Sequence, residues 1–267
     1  MSAADRKFLR GAFARAGASA YDALAPHYRA YSQTKSEYLR AVDEIVKSRL
    51  ASGARSLLDV GAGDGVRAQE IALACRVRRL VLAEPSRAMA DYCRRLACAE
   101  VWQVCAEELP ESALKFDAVT CLWNVLGHVE TGEKRLAALS RMRALLADGG
   151  LIFLDVNNRY NARAYGTLKT TARALFDLVS PSETNGDLSF DWEIGGRRIR
   201  ARGHVFKPRE VESLAASAGL RVRERHVIDY ATGVRRRFAF QGQLLYVLEG
   251  VERAGSDDSR KRLGPAD

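Results

Sequence analysis

Nine consecutive residues limit the folds open to this chain more than any others: Leu57-Leu58-Asp59-Val60-Gly61-Ala62-Gly63-Asp64-Gly65. A short apolar run that stops at glycines reads as a buried strand followed by a turn, where the backbone can approach a ligand with no Cβ in the way. Helical spacing follows in Val66–Cys75, and the alternation then repeats. Strands are expected at Ser56–Val60, Arg79–Ala83, Val101–Cys105, Phe116–Leu122 and Leu151–Val156. Further helices are expected at Arg87–Ala97 and Glu133–Leu146, with a turn at Asp148-Gly149-Gly150. Such alternation implies right-handed βαβ units and an α/β, doubly wound, mostly parallel sheet.

Ahead of this core, Tyr21–Tyr31 and Ser36–Leu50 read as two helices, the second with Leu39, Val42, Ile45, Val46 and Leu50 at helical spacing. After Val156 the alternation stops. Asn157–Gly203 holds a Tyr- and Arg-rich stretch, a helix near Leu168–Val179 and a polar stretch with Gly195-Gly196, and reads as an insertion. A helix at Pro208–Ala218 and strands at Leu220–Ile228 and Phe238–Leu248 complete the sheet. Only Asp229–Arg237 joins the last two strands, so they are expected to be antiparallel. The organisation is then a helical cap at 1–50, a core at 51–157, an inserted lid at 158–203, completion of the sheet at 204–250 and a polar, disordered tail at 251–267.

A chain of 267 residues can bury a core without a disulfide or metal staple. Hydrophobic residues at 47% and charged residues at 28% exclude global disorder. No apolar run nears the roughly 18–20 residues of a membrane span, and no membrane partner is expected. The five cysteines (Cys75, Cys93, Cys98, Cys105, Cys121) form no C-x-x-C pair. They argue for a reducing compartment and against structural zinc, and no metal site is expected. The first 20 residues lack an apolar signal region, so the cytoplasm is the expected location. The net charge of +9, densest at Arg197–Arg202 and Arg235–Arg237, admits nucleic acid as a partner beside the plainer reading of a solvated basic surface. Nothing in the pattern sets an oligomeric state.

The glycine loop opens at the carboxyl edge of the sheet, where open α/β folds bind ligands. Glu84 ends the next strand, where a carboxylate can accept from both hydroxyls of a ribose. Together they point to a nucleoside-containing cofactor, although a bare strand-to-helix turn uses glycines too. A dinucleotide site usually reads G-x-G-x-x-G. Here Gly61, Gly63 and Gly65 give G-x-G-x-G, and Asp59 and Asp64 would repel a pyrophosphate but suit a cationic ligand.

This stretch resembles motif I of the class I S-adenosylmethionine (SAM)-dependent methyltransferases. Phe116-Asp117-Ala118-Val119 resembles the family's fourth strand, and Leu145–Leu151 the turn before its fifth. The resemblance implies SAM as cofactor and a Rossmann-like, seven-stranded sheet whose last strand is antiparallel. It implies cofactor contacts at Asp59, Gly61, Ala62, Gly63, Glu84, Pro85, Ala106, Glu107 and Trp123, with Tyr21 and Tyr28 closing over from the N-terminal helices. One position departs from the pattern: Cys105 stands where the family often has an adenine-contacting Asp.

Methyl transfer from a sulfonium is an in-line displacement, which an enzyme accelerates mainly by alignment and exclusion of water. A base matters only when the acceptor is protonated. Candidates follow the fourth strand: Asn124 to line the acceptor pocket, and His128 as base or as a mere backbone partner. After the fifth strand, Tyr160 within Asn157-Asn158-Arg159-Tyr160-Asn161 could orient a polar acceptor. His204 and His226 read as structural. The reading favoured is methyl transfer to N or O of a small molecule. The alternatives are an RNA (tRNA) methyltransferase, an NAD-type oxidoreductase and a non-catalytic SAM-binding protein.

Overall fold

A computed structural model describes residues 20–51, 53–96, 99–194 and 197–251. The expected tail from 252 onward, Cys98 and the Gly195-Gly196 pair lie outside the described residues. One mixed sheet forms the body: β1 (Ser56–Val60), β2 (Arg79–Ala83), β3 (Ala99–Trp102), β4 (Phe116–Cys121), β5 (Leu146–Val156), β8 (Leu220–Ile228), β9 (Arg235–Arg236) and β10 (Gln243–Gly250). Their order is β3-β2-β1-β4-β5-β10-β8-β9. Strands β1 to β5 pair in parallel, while β10 runs antiparallel to both β5 and β8. The expected seven strands are present, and the eighth is the two-residue β9 pairing with Val227 and Ile228.

Strand residues alternate between two cores. Leu58, Val60, Val81, Val119 and Ile152 pack beneath α5 (Gly132–Leu145) and α8 (Pro208–Ser217). Leu57, Leu80, Leu82, Phe153 and Val247 face α2 (Ser36–Leu50) and α3 (Val66–Ala74). Burial on both faces is why these strands read as continuous apolar runs.

Several boundaries differ from the sequence expectation. Strand β3 ends at Trp102, and Cys105 instead precedes the short 3-10 turn Ala106–Glu108. Helix α5 passes directly into β5; the expected Asp148-Gly149-Gly150 turn survives as a bulge between the Phe116–Leu146 and Ala118–Leu151 pairs. The last strand starts at Gln243 because Ala239–Gln241 forms a 3-10 turn. The first predicted helix breaks at the 3-10 turn Ala25–His27, where Pro26 sits, and resumes as α1 (Tyr28–Gln33).

Helix α4 (Arg87–Cys93) begins at Ser86, whose hydroxyl accepts from the Met89 N–H. The insertion folds as α6 (Ala162–Tyr165), α7 (Thr167–Val179) and a hairpin of β6 (Asp187–Ile194) with β7 (Arg197–His204). This hairpin was not foreseen. The pairing sets Asp191 opposite Arg200, so charges that read as loop-like satisfy each other across strands.

Candidate active site

The β1 loop is positioned by hydrogen bonds to the next strand. Gly61 and Ala62 both donate to the Ala83 carbonyl, at 2.7 and 3.2 Å. Gly63 donates to Glu84 Oε2 at 2.8 Å, and Ser86 N donates to Oε1 at 2.8 Å. Burial pushes the Glu84 carboxyl up to about 7, against the pull of these two N–H groups. Gly63 has φ +59°, and a Cβ there would lie 2.6 Å from the Tyr28 hydroxyl oxygen. Gly63→Ala is therefore expected to cost about 1–3 kcal/mol of stability and to weaken cofactor binding at least tenfold, read by thermal unfolding and calorimetry.

Above the loop lies a cavity of about 360 Å³. The N-terminal segment covers one side. Asp22 fixes it there by accepting from Ser86 Oγ at 2.5 Å and Ala88 N at 3.0 Å. Tyr21, Leu24, Tyr28 and Tyr31 then line the cavity, and the β6–β7 hairpin supplies Leu188, Phe190 and Gly203 opposite.

The floor after β4 is a strained turn. Trp123 and Asn124 both have positive φ, +60° and +63°, a region that a bulky residue rarely adopts. Partners hold it. Asp155 Oδ2 accepts from Trp123 N at 2.9 Å, and the Asp155 carbonyl accepts from Asn124 N at 3.0 Å. Asn124 Oδ1 accepts from Asn157 N at 2.9 Å, and its amide donates to the His204 carbonyl at 3.3 Å. Tyr31 stacks on the Trp123 ring, centroids 5.5 Å apart, and Trp123 Nε1 donates to the Tyr230 hydroxyl.

His128 ends the next 3-10 turn inside the cavity wall. Its Nδ1 lies 3.2 Å from the Arg202 carbonyl, which can only accept. The proton is thus assigned to Nδ1, and Nε2 accepts from the Tyr21 hydroxyl at 3.0 Å. Burial lowers the His128 pKa below the ordinary histidine value, so the ring is neutral near pH 7.

A family model described as a methyltransferase domain matches residues 28–225. The chain belongs to this methyltransferase family. No curated protein matches it in sequence. Among solved structures, the CcbJ methyltransferase from Streptomyces caelestis is similar at 20% identity and TM-score 0.62, over 79% of this chain and 90% of that one. The sugar N-methyltransferase KedS8 from Streptoalloteichus sp. is 20% identical with TM-score 0.55, covering 82% and 92%. The 1,6-didemethyltoxoflavin-N1-methyltransferase from Burkholderia thailandensis is 16% identical with TM-score 0.59, covering 91% and 90%. The fold is that of the class I methyltransferases, and SAM-bound CalS10 from Micromonospora echinaspora, 18% identical with TM-score 0.56, is among the structures that share it.

The residues present fit that cofactor. A glycine cradle without Cβ atoms stands beside a buried carboxylate at the strand end, and the Cys105, Ala106 and Glu107 turn forms the far wall. Gly61, Gly63, Glu84, Pro85, Trp123, Asn124, His128, Tyr21 and Tyr28 all line the methyltransferase cavity, as do Ala106 and Glu107. Three residues singled out from the sequence do not. Asp59 lies under the floor, where burial raises its carboxyl to about 6 and Oδ1 accepts from Thr120 at 2.6 Å. Ala62 is turned inward among the α2 and α3 contacts. Tyr160 points away, its hydroxyl donating to Asp177 at 2.8 Å.

Tyr160→Phe should therefore leave turnover and SAM affinity unchanged and cost about 1 kcal/mol of stability, the usual net value of one hydrogen bond. Conversely, Tyr230, Phe190 and Tyr165 line the cavity without having been singled out. They sit in loops and in the insertion, where an aromatic residue carries no positional signal. His204, read from the sequence as structural, bridges Asp187 and Glu210 at 2.6 and 2.8 Å and also lines the cavity. Among the described residues no three His, Cys, Asp or Glu side chains come together as a metal site.

Proposed function

We propose that this methyltransferase moves the methyl group of SAM to nitrogen or oxygen of a small-molecule acceptor held between Trp123 and the β6–β7 hairpin. The observation that carries the reading is the cavity itself, lined by Tyr21, Leu24 and Tyr28 of the N-terminal segment and by Leu188 and Phe190 of the hairpin. A polynucleotide needs an open basic groove instead. Of the arginines that admitted RNA, Arg200 lies 3.4 Å from Asp191 and Arg236 pairs with Asp229 at 3.1 Å. The printed names of KedS8 and the didemethyltoxoflavin enzyme, a sugar and a heterocycle methyltransferase, support the same class by analogy.

In this reading Gly61 and Gly63 let the backbone approach the nucleoside, and Glu84 accepts from its ribose hydroxyls. Burial holds Cys105, beside Ala106, as a neutral thiol with its pKa pushed up to about 12, so it offers no carboxylate to adenine. When bound, SAM supplies an electrophilic methyl on a positively charged sulfur. Trp123 and Asn124 set the acceptor's position, and His128 Nε2 takes the acceptor's proton once Tyr21 yields that lone pair. The test is methyl-labelled SAM with purified protein and a lysate of its source organism, the label then divided among fractions. Label in the small-molecule fraction supports the reading. Label in RNA overturns it.

A further inference from the structure

Helix α7 is built inside out. At 100° per residue, Thr170, Arg173 and Asp177 share one side, and this polar side faces the body: Thr170 and Asp177 are buried. Asp177 there pairs with buried Arg159 at 2.6 Å. The opposite arc carries Leu168, Ala172, Leu175, Phe176, Leu178 and Val179, interrupted only by Thr171. Leu168 and Val179 are 85% exposed and Leu178 79%. A surface helix ordinarily turns its apolar stripe to the core.

A second apolar projection stands close by. Phe238 and Phe240, both half exposed, stack at 5.6 Å on the 3-10 turn that packs against α6, the element directly before α7. Arg237 lies over the Phe238 ring, 5.5 Å from its centroid.

Charge decides what covers these projections. Lys169 borders the apolar arc of α7, next to Phe176, and Arg235 and Arg237 flank the phenylalanines. A second copy would bring two chains of +9 face to face. One helix about 20 Å long also falls well short of the roughly 800 Å² per partner of a standard interface. RNA offers little to cover leucines. A bilayer with anionic headgroups meets both features: apolar side chains enter the acyl boundary, and the bordering cations meet the headgroups.

We propose that α7 and the Phe238–Phe240 turn dock this methyltransferase on an anionic lipid surface, with α7 lying in the interface plane. Among the described residues no helix is long and apolar enough to cross a membrane, and this mode needs none. Tyr165, the last residue of α6, also lines the cavity, so the segment that leads into α7 is part of the cavity wall.

The test is co-sedimentation of the full chain with vesicles of phosphatidylcholine, alone or with about a third phosphatidylglycerol. Binding to the anionic vesicles, falling as salt rises, is expected. Each large apolar side chain withdrawn from water contributes about a factor of ten or more. Leu175→Glu with Phe176→Glu should thus lower partitioning by about a hundredfold or more, with melting temperature and SAM affinity unchanged. Lys169→Glu should lower it several-fold. No pelleting with anionic vesicles, or equal pelleting by the double variant, overturns the proposal. So does a wild-type dimer in sedimentation velocity that the double variant dissolves, which would assign the face to a second copy. Pelleting only after removal of residues 1–19 would assign it to the chain's own start.

Discussion

Glu84→Ala is expected to weaken SAM binding by about 2–4 kcal/mol, roughly 30- to 1,000-fold, because two hydrogen bonds to a charged acceptor are lost together. The carboxylate has a second duty. Its oxygens hold the N–H groups of Gly63 and Ser86, so its removal also frees the loop that shapes the cradle. Glu84→Gln keeps one carbonyl acceptor and should recover part of the loss. The pH dependence has a definite sign. Burial raises this carboxyl to about 7 in the free enzyme, and ribose hydroxyls and a cationic sulfur both favour the ionised form. Affinity should therefore be full above about pH 7 and fall as the pH drops through that value. Calorimetry of wild type and both variants from pH 5.5 to 8.5 checks this, and a flat wild-type profile would remove Glu84 from the ribose site.

The same Glu84 explains why one part of the cavity lining was legible. A strand, a glycine turn and an acid at the end of the next strand are fixed by local chain geometry, and Gly61, Gly63 and Glu84 fall on the cavity accordingly. Asp59 was misplaced because a strand residue alternates faces. It shares the side of Leu57, is buried and accepts from the Thr120 hydroxyl, and it is not among the residues that line the cavity.

The acceptor half was less legible because its residues come together only through tertiary contacts. In the amide-rich run after β5, the sequence pointed to Tyr160, yet only Asn157 reaches the cavity. Asn158 spends its amide on the Ala239 and Gly242 carbonyls, Asn161 caps α6, and Tyr160 joins the Arg159–Asp177 pair. These side chains anchor the insertion to the sheet. The hairpin was hidden for a related reason: its arginines find carboxylates across the strand pair, a pattern that composition records only as charge.

His128→Ala should lower the turnover number by about 10²–10⁴ while SAM affinity stays within twofold, if the acceptor carries a proton that must leave. The geometry gives the residue a ready lone pair. The Arg202 carbonyl, on the hairpin, accepts from Nδ1–H, which leaves the Nε2 lone pair toward Tyr21 and the cavity. Burial keeps the ring neutral by lowering its pKa below the ordinary value. A base acts in its neutral form, so turnover at saturating SAM should be flat at neutral pH and decline only below the ordinary histidine value. The Glu84 limb, by contrast, appears in the SAM dependence near pH 7. The two groups are thereby separable in one set of rate profiles. Tyr21→Phe provides the internal control: it removes the hydroxyl on Nε2 without touching the ring, so turnover should persist where His128→Ala abolishes it. Normal turnover of His128→Ala across the pH range would leave alignment by Trp123 and Asn124 as the chemistry of the site, with an acceptor that arrives already deprotonated.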